Sequence, residues 1–290
     1  MPWFCTFRHQ TTQWLHVLIV LWSCLALLVS GCGIITHSYV AHRAFQFLSD
    51  LQQSPDEHES RLDTKFTFIV KNNWNAFVAG APFPDWGYAC PKTFCPDQDA
   101  CHDASETAHW LPFQKAAAEY IRETYPDAKD PKYGRVVAWF LGISSHGIAD
   151  LVWHGLGQRA PAWSPSGPRG YIQTLGGVEF DCHGSLCSQA HTLADTGAEF
   201  LIDLDYDTSF EPLSWDLPLS DIEAIYHRMG HTAITSRMIG ECASILYAGA
   251  EAERLAGKTL FPHFAAQTPF QIDVLEVRWD VFVIILAICH

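Results

Sequence analysis

Between Arg135 and His154 the chain is almost wholly apolar, and Asp150 is the one carboxylate within it, set between His146 and His154. The spacing i, i+4, i+8 projects these three polar groups from one face of a helix. A carboxylate lying among Ile148, Ala149, Val152 and Trp153 is costly to bury unless something compensates its charge. Imidazole nitrogens and carboxylate oxygens are zinc ligands, and a helix holds them close enough to share or flank an ion. A second pair, His191 and Asp195, repeats the i, i+4 spacing. A metal at this face would offset the cost of burying Asp150.

The remaining pattern is helical. Val40, Ala44, Phe45 and Leu48 recur at helix spacing over Thr36 to Leu51, with Thr36 as N-cap and His37 in the first turn. An apolar-periodic stretch from Phe66 to Val78 ends at Gly80, and a loop rich in Pro and Cys follows, carrying Asp85. Helices are expected over Pro112 to Tyr125 and Arg135 to His154, near Ser188, and over Leu219 to Met229 and Ala233 to Ala256. Strict alternation is scarce. With 48% hydrophobic residues in 290, the chain can bury a sizeable core. The expected architecture is an all-α domain, residues 32–271, followed by a divergent tail, 272–290, read as either a buried helix end or a truncated chain.

Composition narrows the functions. A net charge of −14 argues against a broad basic surface for nucleic acid. It leaves phosphate esters open as substrates, because bound dications make a positive pocket within an acidic protein. Arg8, the apolar run from Trp14 to Val29, and then Ser30, Gly31 and Cys32 have the layout of a secretory signal peptide over residues 1–31, cleaved before Cys32. An uncleaved signal anchor, or a lipoprotein box acylating Cys32, is the competing reading. Export predicts disulfides among the eight cysteines that follow the leader, in a connectivity that one sequence does not reveal. Cys182 and Cys187 are close enough to bridge locally. No C-x-x-C pair occurs, so a zinc finger is a weak reading. His42, His227 and His231, the acidic run Asp203, Asp205, Asp207, and the residues Trp153, Trp163 and Trp215 receive ordinary structural or surface roles, and His183, in a loop with Gly and Cys, is read as a residue behind the ligands.

Several segments carry a family resemblance. Cys32 to His37 with His42-Arg43-Ala44, Ala79 to Asp85, His102 to Trp110, Gly142 to His154, and His183 to Asp195 together resemble the catalytic domain of glycosylphosphatidylinositol-specific phospholipases D. The match is in order, with similar gaps, to about Phe270. More distantly the chain resembles bacterial zinc-dependent phospholipases C and single-strand-specific zinc nucleases, all-α proteins with three clustered zinc ions.

The resemblance implies one zinc on Asp85, His102, His146 and Asp150, and a second on His154, His191 and Asp195. A third would take the α-amino and carbonyl groups of Cys32, with His37 and the shared Asp150. Asp195 stands where the bacterial phospholipase has a longer Glu, and Cys32 where the distant relatives open on Trp. His102 and His109 are both available to the first zinc; the run Trp110-Leu111-Pro112-Phe113 favours His102 and leaves His109 beside the ligands or facing substrate.

The implied reaction is zinc-assisted phosphodiester hydrolysis, with Asp85 accepting or orienting the proton of the attacking water and Asp150 spanning two ions. The implied substrate is a phospholipid or a glycosylphosphatidylinositol-anchored protein, met through transient contact with a membrane surface and cut between inositol and phosphate. Full-length relatives of this kind carry a β-propeller after the domain. Rival readings are a phospholipase C or a nuclease on the same metals, or a non-catalytic, metal-stabilised lipid-binding domain.

Overall fold

The computed structural model describes residues 33–51, 57–88, 90–153, 202 and 206–260. Among them there is no strand, and the elements in order are α1 (Ile34–Leu51), α2 (Glu57–Asn72), α3 (Trp74–Gly80), a 3-10 turn (Phe83–Gly87), α4 (Gln98–Ala108), α5 (Leu111–Thr124), α6 (Tyr133–Trp153), α7 (Leu219–Arg228) and α8 (Ser236–Leu260). The all-α expectation is met. No helix among the described residues is long and apolar enough to cross a membrane.

Three boundaries differ from the sequence reading. Helix α1 starts at Ile34, with the His37 amide already donating to Gly33 O at 3.1 Å, so Thr36 is a buried first-turn residue rather than the N-cap. The stretch expected from Phe66 to Val78 is divided between α2 and α3 at Asn73, whose backbone leaves the helical region. Helix α4 occupies chain for which the Pro- and Cys-rich composition predicts loop. Its start is set by Asp97, whose side chain accepts from the Ala100 amide, and its first turn is tied down by the Cys95–Cys101 disulfide. Its buried face consists of Cys101, Ala104, Ser105 and Ala108, at helix spacing but without large apolar residues, which is why periodicity overlooked it.

Helix α6 is the axis of the fold, packing against α1, α2, α3 and α5, with Val136, Ala138, Trp139 and Ile143 fully buried. Its contact with α3 is backbone on backbone. A Cβ on Gly142 would collide with Phe77 O, and one on Gly80 with Trp139 O, so both positions need glycine for the helices to cross this closely. The 3-10 turn is held to α4 in the same way. Gly87 lies against Cys101 O, while Ser105 Oγ donates to Pro84 O and accepts from the Gly87 amide.

Behind the turn, Trp86 Nε1 donates to Tyr226 Oη of α7 at 2.9 Å, and Cys90 bridges to Cys242 of α8 across 152 residues. Buried Asp221 accepts from the hydroxyls of Tyr120 and Tyr125 at 2.8 and 2.6 Å, which fixes α7 to the end of α5.

Candidate metal centre

The Gly80–Gly142 crossing determines what lies one step further along each element. Ala81 O comes to 2.7 Å from His146 Nδ1. A carbonyl only accepts, so Nδ1 donates there and Nε2 is the nitrogen left facing the interior. His109, the C-cap residue of α4, is oriented likewise, with Nδ1 3.0 Å from Ser105 O. Two imidazoles thus have one nitrogen committed to a backbone carbonyl and the other directed at a common centre, the usual arrangement around a metal-ligating histidine.

What they face is a pair of buried carboxylates. Asp85, on the 3-10 turn, is 2% exposed and Asp150, on α6, is 8% exposed, while His37 and His146 are both at 0%. His109 Nε2 is 3.2 Å from Asp85 Oδ1 and 3.7 Å from Asp150 Oδ2. His146 Nε2 is 3.2 Å from Asp150 Oδ2. His37 Nε2 lies 3.5 Å from Asp150 Oδ1 and 3.9 Å from Asp85 Oδ2. The His37 ring stacks on His146 at 3.7 Å, and His109 meets His146 edge-on at 4.7 Å. Two overlapping ligand groups result: His37, Asp85 and His146, and His109, His146 and Asp150, the ligand atoms of each lying within 4.8 Å of one another.

The electrostatics show what this centre demands. Burial on its own would raise the Asp150 carboxyl, yet the charge of His146, followed by His37 and His109, holds it well below the usual carboxylate range. Burial would lower His109, but the hydrogen bond and charge of Asp85, with the charge of Asp150, push it up to about 9. The two carboxylates therefore draw positive charge inwards. Asp85 Oδ2 is buried without a hydrogen-bond partner, a costly state for a carboxylate oxygen unless it ligates an ion. Hard oxygens and imidazole nitrogens are the donor set that suits zinc. The residues fit that ion.

The structure brings together four residues expected at the site, His37, Asp85, His146 and Asp150. In place of His102 it brings His109. His102 is exposed on α4, its ring 4.7 Å from that of Tyr88, and it belongs to neither ligand group. Cys32, His154, His191 and Asp195 lie outside the described residues, as do His183, Trp163, Asp203 and Asp205.

The ordinary roles expected of other residues agree with what surrounds them. His42 stacks on Phe210 at 4.1 Å, His227 Nε2 donates to Ile234 O at 2.8 Å, and His231 follows the left-handed Gly230 that ends α7, its amide bonded to Tyr226 O. Trp215 packs against Tyr247.

Comparison with known proteins points the same way. The family model for zinc dependent phospholipase C matches residues 36–255. The chain is 35% identical over 260 residues to a phosphatidylinositol-glycan-specific phospholipase D of Dictyostelium discoideum, covering 90% of this chain and 24% of that protein. It is 32% identical over 264 residues to the Homo sapiens protein of the same description, covering 91% and 28%, and 31% identical over 265 residues to that of Rattus norvegicus, covering 88% and 28%. The chain thus spans about a quarter of the length of these curated relatives. No solved structure matches significantly. With an all-α fold, a buried His and Asp cluster, and a family match over most of its length, the chain belongs to the zinc-dependent phospholipase C family.

Proposed function

We propose that this protein is a secreted zinc phosphodiesterase that releases glycosylphosphatidylinositol-anchored proteins by phospholipase D cleavage. The observation that carries the reading is the meeting of Asp85 and Asp150 with His37, His109 and His146 in one buried cluster. The phosphatidylinositol-glycan-specific phospholipases D among its relatives support the choice of bond, and the acidic balance of the chain speaks against a nucleic-acid substrate.

In this reading Asp85, His109, His146 and Asp150 hold one zinc, and His37 joins Asp150 and the Cys32 terminus on another. His154, His191 and Asp195 hold the third. Of the two α4 histidines His109 is the ligand, because its Nε2 is already at Asp85. Bound zinc would polarise phosphate oxygens and acidify water. Asp85 also takes or orients the proton of the attacking water. Asp150 reaches towards all three imidazoles and sets their spacing. Contact with the membrane surface is transient. The family description itself favours a second reading, phospholipase C, in which the bond on the diglyceride side of phosphorus is cut.

The test is metal analysis of the purified protein together with product identification on a glycolipid-anchored reporter, a choline phospholipid and single-stranded DNA. Bound zinc with phosphatidic acid from the anchor supports the first reading, and diglyceride the second. An active protein without metal, or one cutting only DNA, would remove both.

A further inference from the structure

Glu106 stands on α4, exposed to solvent, and both of its oxygens are engaged by aromatic donors from other elements. Oε2 accepts from the Tyr88 hydroxyl at 2.5 Å and Oε1 from Trp110 Nε1 at 2.9 Å. Tyr88 caps the 3-10 turn that carries Asp85. Trp110 directly follows His109 and caps the start of α5. The Tyr88 ring, held by this carboxylate, lies 5.6 Å from the His109 ring and forms its outer wall. His109 is therefore bracketed. Ser105 O orients its inner edge, Tyr88 covers its outer face, and Trp110 fixes the backbone leaving it. Glu106 touches none of the clustered ligands, yet it holds the wall and the backbone exit together.

An exposed carboxylate with this arrangement is hard to explain by global stability. Solvent-exposed polar contacts contribute little to folding, and 44% of Trp110 is exposed, so Trp110 does not need Glu106 to avoid burial without a partner. What the bracket does restrict is the freedom of His109. Outer groups that orient ligating histidines typically change metal affinity by about 10–100-fold when removed. We propose that Glu106 is a positioning residue of the metal centre, acting through Tyr88 and Trp110 to keep His109 Nε2 at Asp85. This rests on the reading of His109 as a zinc ligand.

The test uses the full chain loaded with zinc and titrated with a chromogenic chelator, beside thermal melts of the metal-free forms. Glu106→Ala should weaken retention of one zinc equivalent by about tenfold or more, with little change in the metal-free melt. Tyr88→Phe should reproduce part of the loss, and the double variant should be no worse than Glu106→Ala alone. Glu106→Gln keeps one acceptor oxygen and should fall between. His109→Ala serves as the positive control and should lose that equivalent outright.

If Glu106→Ala retains zinc as tightly as the parent while His109→Ala does not, Glu106 has no positioning role and the metal reading stands. A chelator shift no larger than the loss of metal-free stability accounts for would also overturn the proposal, by making Glu106 merely structural. A parent protein that holds no zinc would remove both readings.

Discussion

Asp150 is the residue on which the centre turns, since it lies within 3.7 Å of His37, His109 and His146 at once. Asp150→Asn keeps the volume and removes the charge that draws those imidazoles together. Losing an electrostatic group of this kind commonly costs about 10²–10³ in turnover. Release of an anchored reporter should fall by that order, whereas His231→Asn, which alters a side chain beside Tyr226 and Asp103, should leave it nearly intact. Equal activity in the two would mean that the α6 face is ordinary packing. A second comparison separates the two α4 histidines. Zinc content should drop in His109→Ala and hold in His102→Ala, and the opposite result would return the ligand role to His102. Helix phase does not separate the two, because His102 and His109 are seven residues apart and lie within about 20° of each other around the axis. What separates them is position along it: His109, the C-cap residue of α4, reaches Asp85, whereas His102 sits two turns back beside Tyr88. A depth of that kind is set by how α4 docks on the 3-10 turn, which no local pattern shows.

Helix α6 and its ligand face were legible because large apolar residues at helix spacing surround one carboxylate, and burial leaves such a pattern few alternatives. The approach of α3 to α6 was not legible. It depends on Gly80 meeting Gly142, residues 62 positions apart, since 142 − 80 = 62, and no local pattern links them. The crossing carries a prediction of its own. Gly142→Ala must push Phe77 O away, which should cost about 1–3 kcal/mol as overpacking and lengthen the bond from Ala81 O to His146. Thermal melting together with zinc content reads both effects. A variant that melts and binds as the parent does would show that α3 yields without disturbing His146. Disulfide pairing was equally opaque, because the sequence gives an inventory of cysteines but not their distances.

Across the whole molecule, the centre couples metal to stability. His109 is raised from 6.5 to about 9 in the folded, metal-free protein. Protonation of His109 therefore stabilises the fold fully below about pH 6.5, and this contribution fades as pH rises through about 9. Chelator-treated protein should melt at progressively lower temperature across that window. Zinc-loaded protein should not show the same decline, because the ion then supplies the positive charge and His109 has no proton to lose. Parallel melting curves for the two forms would show that the carboxylates are compensated in some other way.

The Cys90–Cys242 bridge also orders events in time. The chain emerges from the ribosome at about 5–20 residues per second, so Cys242, 152 positions on, follows Cys90 out after roughly 8–30 s. During that interval the segment behind Asp85 has an unpaired thiol, with Cys95 and Cys101 already present and nearer along the chain than its proper partner. Correct pairing behind Asp85 is thus favoured when Cys95 and Cys101 close with each other first, leaving Cys90 for Cys242.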